Sequence, residues 1–404
     1  MGILSRRSRF ADSIFSEEGR YADLLSKEGK KIISLDSGDP VKYFKTPSYV
    51  IKAYKRALSE GKTFYTKGDG LPELKDAVIK RYKKMYGLEP TAESIIITHG
   101  LSEGISMINS AFIDRGDTAI LFRPYYMQYP IYVRMNDGKV VTEDYNEEDD
   151  WNIDVDKVGR NLKRLGRKKP KYMMVTNPNN PTGTVLKRKA LKGIAELAND
   201  NDIFIISDEI YDEMIFGDVE YTSISEVAKG VPYMIMNGAS KNFDATGLRI
   251  GFLITPENDK KSMEVKNKLV DYALTRLCVN TTAQYAIADA MNNQKEHERE
   301  TRKIAREIER RVMFSFKLLS ENNYIEVRRP HAAFYLFPKI KFGEMKIKSD
   351  ADFVYRLMKE KGIWTREGAG FGSSDHFRIV SLAPKDILED AILKINDFCR
   401  KNAK

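Results

Sequence analysis

Six short runs of consecutive apolar residues, spaced through the middle of the chain, limit its fold more than any other feature. They are SIIIT (94–98), TAILF (118–122), YMMVT (172–176), IFIIS (203–207), YMIMN (233–237) and RIGFLI (249–254). A run that is apolar at every position, rather than every second one, suits a strand covered on both faces, as in a parallel sheet with helices on either side. Helical patterning lies between the runs, beginning for instance at Ser102, so the order reads as repeated βα units. From about residue 285 the character changes. Residues 294–321 read as one long helix with Ile304, Ile308, Val312, Phe316 and Leu319 on a single stripe. The strand-like pieces AAFYLFP (332–338) and HFRIVSLA (376–383) follow, with a helix between them. These mark a smaller α+β domain, on which the Gly- and Pro-punctuated residues 1–45 are expected to pack. A chain of 404 residues exceeds one ordinary core. The expected division is a large domain over 46–285 and a small one made of 1–45 and 286–404.

Composition narrows the function. With 42% hydrophobic and 31% charged residues the chain reads as a soluble globular protein, and no apolar run approaches the roughly 18 residues that cross a bilayer. The first residues, MGILSRRSRFADSIFSEEGR, contain no apolar signal core. That absence speaks against secretion and against reading Arg6-Arg7 as a twin-arginine signal. Gly2 does not suit myristoylation, because Arg6 stands where Ser or Thr is needed. Cys278 and Cys399 lie far apart without a CxxC, and His99, His297, His331 and His376 show no ligand spacing, so no metal site is expected. The expected compartment is the cytoplasm. The net charge of +9 raises the question of nucleic acid. The densest basic segment, KRLGRKKPK (163–171), is offset by EEDD (147–150) and lacks interleaved aromatics, so neither nucleic acid nor membrane is expected as a partner. A mildly positive surface suits small anionic substrates.

In open α/β sheets ligands sit beyond the carboxyl ends of the strands, so the residues after each run carry the chemistry. After 94–98 comes His99-Gly100-Leu101-Ser102, a helix start with free N–H groups and a hydroxyl, suited to an anion. After 118–122, RPYYMQYP brings Tyr125, Tyr126 and Tyr129; for Tyr125 and Tyr129 ordinary packing is preferred. After 172–176, NPNNPTG (177–183) is a turn fixed by Pro and Gly that can present Asn180 as a rigid amide. After 203–207 stands Asp208, costly at the end of a buried strand unless something positive meets it. Tyr211 shares its face if a helical turn begins there; a plain N-cap role for Asp208 is the alternative. After 233–237 comes NGASKNFDATGLRIGF, with Lys241 amid small residues and Arg249 eight positions on. Neighbouring cations and burial would lower the lysine's pKa and make it a nucleophile. An acid facing a heterocyclic nitrogen, with a lysine able to form a Schiff base, is what pyridoxal phosphate requires. Rival motifs fail. No GxGxxG follows a strand, GKT (61–63) lacks the first P-loop glycine, GAGFG (368–372) lacks the context, and no GxSxG occurs.

Tyr65 with GLPELK (70–75), HGLSEG (99–104), PYY (124–126), NPNNPTG (177–183), SDEIY (207–211), SKNFDATGLRIG (240–251) and HFRIVSLAP (376–384) occur in that order. On these motifs the chain resembles, over nearly its whole length, the class I aminotransferases of the aspartate aminotransferase fold, pyridoxal-phosphate enzymes of fold type I. The resemblance implies an α/β fold: a large domain with a mostly parallel seven-stranded sheet flanked by helices, and a smaller α+β domain. It implies Lys241 as the Schiff-base lysine that moves the proton, Asp208 as partner of the pyridine nitrogen, and Tyr211 and Asn180 on the phenolic oxygen. Tyr126 would stack on the ring, and Leu101, Ser102, Ser240 and Arg249 would hold the phosphate. Tyr65 would reach that phosphate across a homodimer interface. Arg378 would clamp the substrate carboxylate, assisted by Asn180 and the main chain at Gly38. The activity implied is a ping-pong amino transfer between an L-amino acid and a 2-oxo acid. The tail GAGFG…HFRIVSLAP with AAFYLFP is most similar to the alanine aminotransferase branch, and Ser102 stands where many prokaryotic aspartate enzymes carry lysine. In one departure, Ala332-Ala333 rather than Gly-Ala precede Phe334. Aspartate or broad aromatic specificity is the alternative within the family, then a lyase on the same fold, then a cofactor-sensing regulator. Arg276 and Arg329 are candidates for a distal substrate carboxylate.

Overall fold

The computed structural model describes Ile3, Phe10 and residues 14–166, 169–257 and 259–404. Gly2, Arg6 and Arg7, and Arg167 and Lys168 of the basic segment, lie outside these. Among the described residues no helix is long and apolar enough to cross a membrane.

The six apolar runs all form strands, each within a residue of its expected limits. Together with two others they make β1 (Ile95–His99), β2 (Thr118–Arg123), β3 (Lys139–Asn146), β4 (Asn152–Ile153), β5 (Tyr172–Thr176), β6 (Phe204–Asp208), β7 (Tyr233–Gly238) and β8 (Ile250–Ile254). They pair in the order β1-β8-β7-β6-β5-β2-β3-β4. Seven are full strands; the eighth, β4, is a two-residue strand at the edge. Only β8 and β4 run against the rest. Side chains alternate between two buried layers. Ile95, Ile97, Ile120, Phe122, Met173, Val175, Ile205 and Ile235 enter one layer of the main core. Ile96, Leu121, Tyr172, Met174, Phe204, Ile206, Met234 and Met236 enter the other. Both faces are covered, as uninterrupted apolar runs require. Strand β3 reads KVVTEDYN and is buried at only two of its positions. It lies near the sheet edge, so it needs no continuous apolar run and escaped the sequence reading.

A second core gathers around a three-stranded antiparallel sheet of Tyr335–Leu336, Phe377–Val380 and Arg366–Glu367. The long helix is Gln294–Ser320. Its Ile308, Val312 and Leu319 are fully buried there, with Ile304 and Phe316 packed at the border. Phe353 and Leu357 come from the helix Asp350–Lys361, and Leu388, Ile392 and Ile395 from Lys385–Lys401. Leu35, Ile210, Tyr211 and Met214 join this core as well, so the chain leaving β6 and the segment near residue 35 tie it to the main sheet. The helix Thr281–Asn292 runs without a break through the division expected at 285 and packs on Ser48–Ser59 and Pro72–Tyr86.

The N-terminal stretch holds a helix the sequence reading did not expect, α1 (Ile14–Lys27). Among its described side chains, Glu18, Ala22 and Leu25 are buried. The spacing is helical, but a carboxylate takes one of the inward places, which breaks the apolar periodicity.

Candidate active site

The β-strand topology collects the predicted residues at one edge. β1, β2, β5, β6 and β7 point their carboxyl ends there, and antiparallel β8 turns its amino end to the same place. A cavity of about 460 Å³ opens between this edge and the second core. It is lined by Asp36, Ser37, Gly38, Asp39, Leu101, Ser102, Ile105, Tyr126, Tyr129, Thr176, Asn180, Asp208, Ile210, Tyr211, Ser240, Lys241, Thr246, Arg249, Tyr335 and Arg378. Every predicted site residue is among them except Tyr65. Tyr65 is 80% exposed on the outer surface of the chain.

Lys241 follows β7 on the one-turn helix Ala239–Asn242. Its Nζ donates to the Gly38 carbonyl at 2.6 Å and lies 5.6 Å from the centre of the Phe334 ring. Burial lowers its pKa to about 8; the carboxylates of Asp39 and Asp244 work against that, and Arg378 and Arg249 add to it. Roughly a tenth of the amine is therefore uncharged at neutral pH, far more than for an ordinary lysine, as a nucleophile needs. Gly38 must be glycine for its carbonyl to sit there, since a Cβ would lie 2.8 Å from the Tyr335 hydroxyl.

Asp208 ends β6, where its register partner on β5 is Thr176. No helix begins at Asp208, so it is not an N-cap and shares no helical face with Tyr211. Instead Oδ1 accepts from the Ile210 N–H at 3.1 Å and Oδ2 accepts from the Tyr129 hydroxyl at 2.6 Å. Burial raises Asp208 to about 6, with Tyr129, Ile210 and Lys241 holding it from going higher. Tyr129, read above as packing, is thus a polar partner of the acid. Tyr125, read in the same way, is buried in the apolar layer beneath.

Tyr211 donates to or accepts from the Tyr335 hydroxyl at 2.7 Å. Tyr126 stands edge-on to Tyr129, with centroids 5.5 Å apart. The NPNNPTG turn is locked by Asn179, whose Oδ1 accepts from the Thr182 N–H and hydroxyl at 3.2 and 2.9 Å. That holds Asn180 so that its Oδ1 accepts from Arg378 Nη1 at 3.1 Å. Arg378 Nη2 donates to the Asp36 carbonyl at 2.7 Å. The guanidinium carbon lies 4.8 Å from the Phe371 ring centre and 5.0 Å from that of Tyr335. Its Nε is buried without a partner among the described residues.

Arg249 differs from its expected setting. It is not in the strand but just before it, exposed, with φ 55°. Its Nη1 donates to the Thr246 carbonyl at 2.9 Å, and it forms no ion pair among the described residues. Its guanidinium reaches the start of helix α2 (Gly100–Phe112), where no side chain caps the first turn. Gly100 has φ +67°, and a Cβ there would lie 2.3 Å from Arg249 Nη2. Free N–H groups, the Ser102 and Ser240 hydroxyls and this cation make an anion cradle. Of the distal-carboxylate candidates, Arg276 is occupied by Glu103 at 2.9 Å and by the carbonyls of Gly68 and Ile97, each at 2.8 Å, and neither it nor Arg329 lines the cavity. Asp36 and Tyr335 were missed outright. Asp36 lies in an unpatterned loop and Tyr335 inside an apolar piece, so no local signal marked either one.

An anion cradle, a partly uncharged amine, a buried acid and a second guanidinium, facing one cavity at the carboxyl edge of a mostly parallel sheet, define an α/β enzyme for small anionic substrates. The chain belongs to the class I and II aminotransferases, whose family model matches residues 30–392. The solved alanine aminotransferase of Pyrococcus furiosus superposes with a TM-score of 0.92 at 34% identity, over 99% of this chain and 100% of that one. An asparagine–oxo-acid transaminase of Streptococcus mutans is 30% identical over 99% of this chain and its own full length. An aspartate aminotransferase of Bacillus subtilis is 30% identical over 94% of both chains. The protein is therefore a transaminase, which replaces the lyase and regulator alternatives. Membership implies pyridoxal phosphate, and the site fits it. Arg249 offers an unpaired cation at the cradle a Gly100 side chain would fill, and the cavity has the size usual for a small ligand.

Proposed function

We propose that this enzyme moves an amino group between L-alanine and 2-oxoglutarate by a ping-pong mechanism, as a cytoplasmic homodimer. The observation that carries the reading is the meeting of Lys241, Asp208 and Arg378 in one cavity. Leu101, Ser102, Ser240 and Arg249 would hold the cofactor phosphate, with Tyr65 joining them from a second copy of the chain. Asp208 would pair with the ring nitrogen, Tyr211 and Asn180 with the phenolic oxygen, and Tyr126 would lie on the ring. When bound, pyridoxal phosphate supplies the electron sink that makes the substrate Cα proton removable. Lys241 Nζ would take and hold that proton, a role suited to an amine whose pKa burial lowers to about 8. Arg378 receives the α-carboxylate, and its planar fork fixes the Cα–H bond toward the lysine. Asp208 keeps its charge through the Tyr129 and Ile210 hydrogen bonds. The large domain in this reading is 46–285, continued through the end of the helix at Asn292, with the small domain made of the remaining segments.

Alanine is favoured because Ser102, not lysine, lines the cavity, and the name of the Pyrococcus structure agrees. Aspartate or a broader aromatic range is the second reading, supported by the name of the Bacillus relative. A panel of amino donors against 2-oxoglutarate, with kcat/KM for each, tests it: alanine should lead, and aspartate in first place overturns the assignment. Lys241→Ala should abolish turnover with every donor, and transfer retained by that variant overturns the role of Lys241.

A further inference from the structure

Helix α1 carries a carboxylate on its inward face, and that carboxylate starts a line of charges ending in the cavity. Glu18 is fully buried. Its Oε2 lies 2.8 Å from Arg366 Nη1 and accepts from Trp364 Nε1 at 3.1 Å. Arg366 is itself 1% exposed and donates from Nε and Nη2 to the two oxygens of Asp36 at 2.7 and 2.6 Å. Asp36 then holds Arg378 Nη2 through its carbonyl at 2.7 Å and its Oδ1 at 3.5 Å. Glu18, Arg366, Asp36 and Arg378 alternate in sign, and only the last two line the cavity.

Such a line is not what stability alone would select. Replacing a buried ion pair with well-packed apolar groups is often neutral or favourable. Burial raises Glu18 to about 7, and Arg366 and Trp364 offset this only in part. The geometry does serve orientation. Arg366 uses both oxygens of Asp36, so Asp36 cannot swing, and its backbone carbonyl and Oδ1 stay on one edge of Arg378. Asn180 occupies the other edge.

We propose that Glu18 is a positioning residue for Arg378, acting through Arg366 and Asp36 to fix the guanidinium plane that receives the substrate carboxylate. The inference rests on the reading of Arg378 given above. Without the charge on Glu18, the pull of Arg366 falls more heavily on Asp36 and draws it away from the 3.5 Å contact with Arg378. The charged and titratable groups facing Glu18 are Arg366, Glu367 and Asp36, with the Tyr355 hydroxyl on the helix Asp350–Lys361. Of these only Arg366 favours the ionised carboxylate, so Glu18 is charged above about 7 and neutral below it.

The test is steady-state kinetics on the holoenzyme. Glu18→Gln should raise KM for amino acid and oxo acid alike by about tenfold, the scale of one charge-assisted hydrogen bond, with kcat within about twofold. Wild-type KM should fall as pH rises through about 7, while the variant stays at the acid value. Adding Glu18→Gln to Asp36→Asn should raise KM no further, since both act on one line. An unchanged KM in Glu18→Gln, additive effects in the double variant, or a wild-type KM flat from about pH 6 to about pH 8 overturns the inference; the last needs no variant to fold. Arg378→Lys separates the two possible failures. A KM unchanged there removes the carboxylate site and the inference with it. A KM raised there but not in Glu18→Gln removes the inference alone.

Discussion

Replacing Gly100 by alanine places a methyl group where helix α2 and Arg249 meet. The added Cβ lies 2.3 Å from Nη2 and 2.7 Å from Cζ of Arg249, far inside van der Waals contact, so the guanidinium has to move. Two costs follow. The left-handed backbone at φ +67° adds about 1–2 kcal/mol of strain for any L-residue. If Arg249 holds the cofactor phosphate as proposed, displacing it also removes a charge-assisted hydrogen bond worth about 1.5–3 kcal/mol, or on the order of ten- to a hundredfold in the dissociation constant. Gly116 is the matched control: its φ is +90° and nothing lies within 4 Å of an added Cβ. Gly116→Ala bears the strain and displaces nothing. Titrating each apoprotein with pyridoxal phosphate, followed by fluorescence, and melting each one separates the two terms. Both variants should lose similar stability, and only Gly100→Ala should lose cofactor affinity. Wild-type affinity in Gly100→Ala refutes the assignment of Arg249 to the phosphate.

Three further outcomes are expected. In the cofactor-free protein Lys241 should titrate near 8, and Asp39→Asn should lower it further, because the Asp39 carboxylate is the largest influence holding the charged form; the pH dependence of Lys241 modification by an amine-reactive reagent reads this, and an upward shift contradicts it. Tyr129→Phe removes the 2.6 Å hydrogen bond that favours ionised Asp208. In the cofactor-free protein Asp208 should then titrate above about 6, read by NMR of its carboxyl carbon, and an unmoved titration rules out coupling between the two. Mixing Tyr65→Ala protein with Lys241→Ala protein should restore activity that neither has alone, since one mixed site then has a whole complement. Absence of rescue in a proven heterodimer would place Tyr65 outside the site.

The parts of the site legible in sequence are those tied to local structure. Asn180 was visible because the NPNNPTG turn is built from its own residues, closed by Asn179 and Thr182. Asp208 and Lys241 were visible because each follows an apolar run, and strand ends are where a parallel sheet presents its ligands. Tyr129 was not. Its hydroxyl has a partner only when β2, β5 and β6 lie side by side, an arrangement no short stretch contains. Arg249 does line the cavity but was put in the wrong setting, because an apolar run adjoining it does not say at which residue the strand begins. Strand β3 was overlooked because near the sheet edge it needs no continuous apolar run, and helix α1 because Glu18 stands where an inward apolar residue would have marked the period.

The sequence by itself determined the six buried strands and their succession along the chain, the burial of both sheet faces and the kinds of chemistry carried beyond each of those strands. Local composition suffices there, since an apolar run has to be covered whatever lies far away in the chain. Only the tertiary structure decided which of those groups touch. Asp36 and Arg378 are 342 positions apart, and Glu18 and Trp364 are 346 apart. Their contacts exist because the second core folds against the open edge of the sheet, and that packing brings a carboxylate from the first helix into line with the guanidinium facing the cavity.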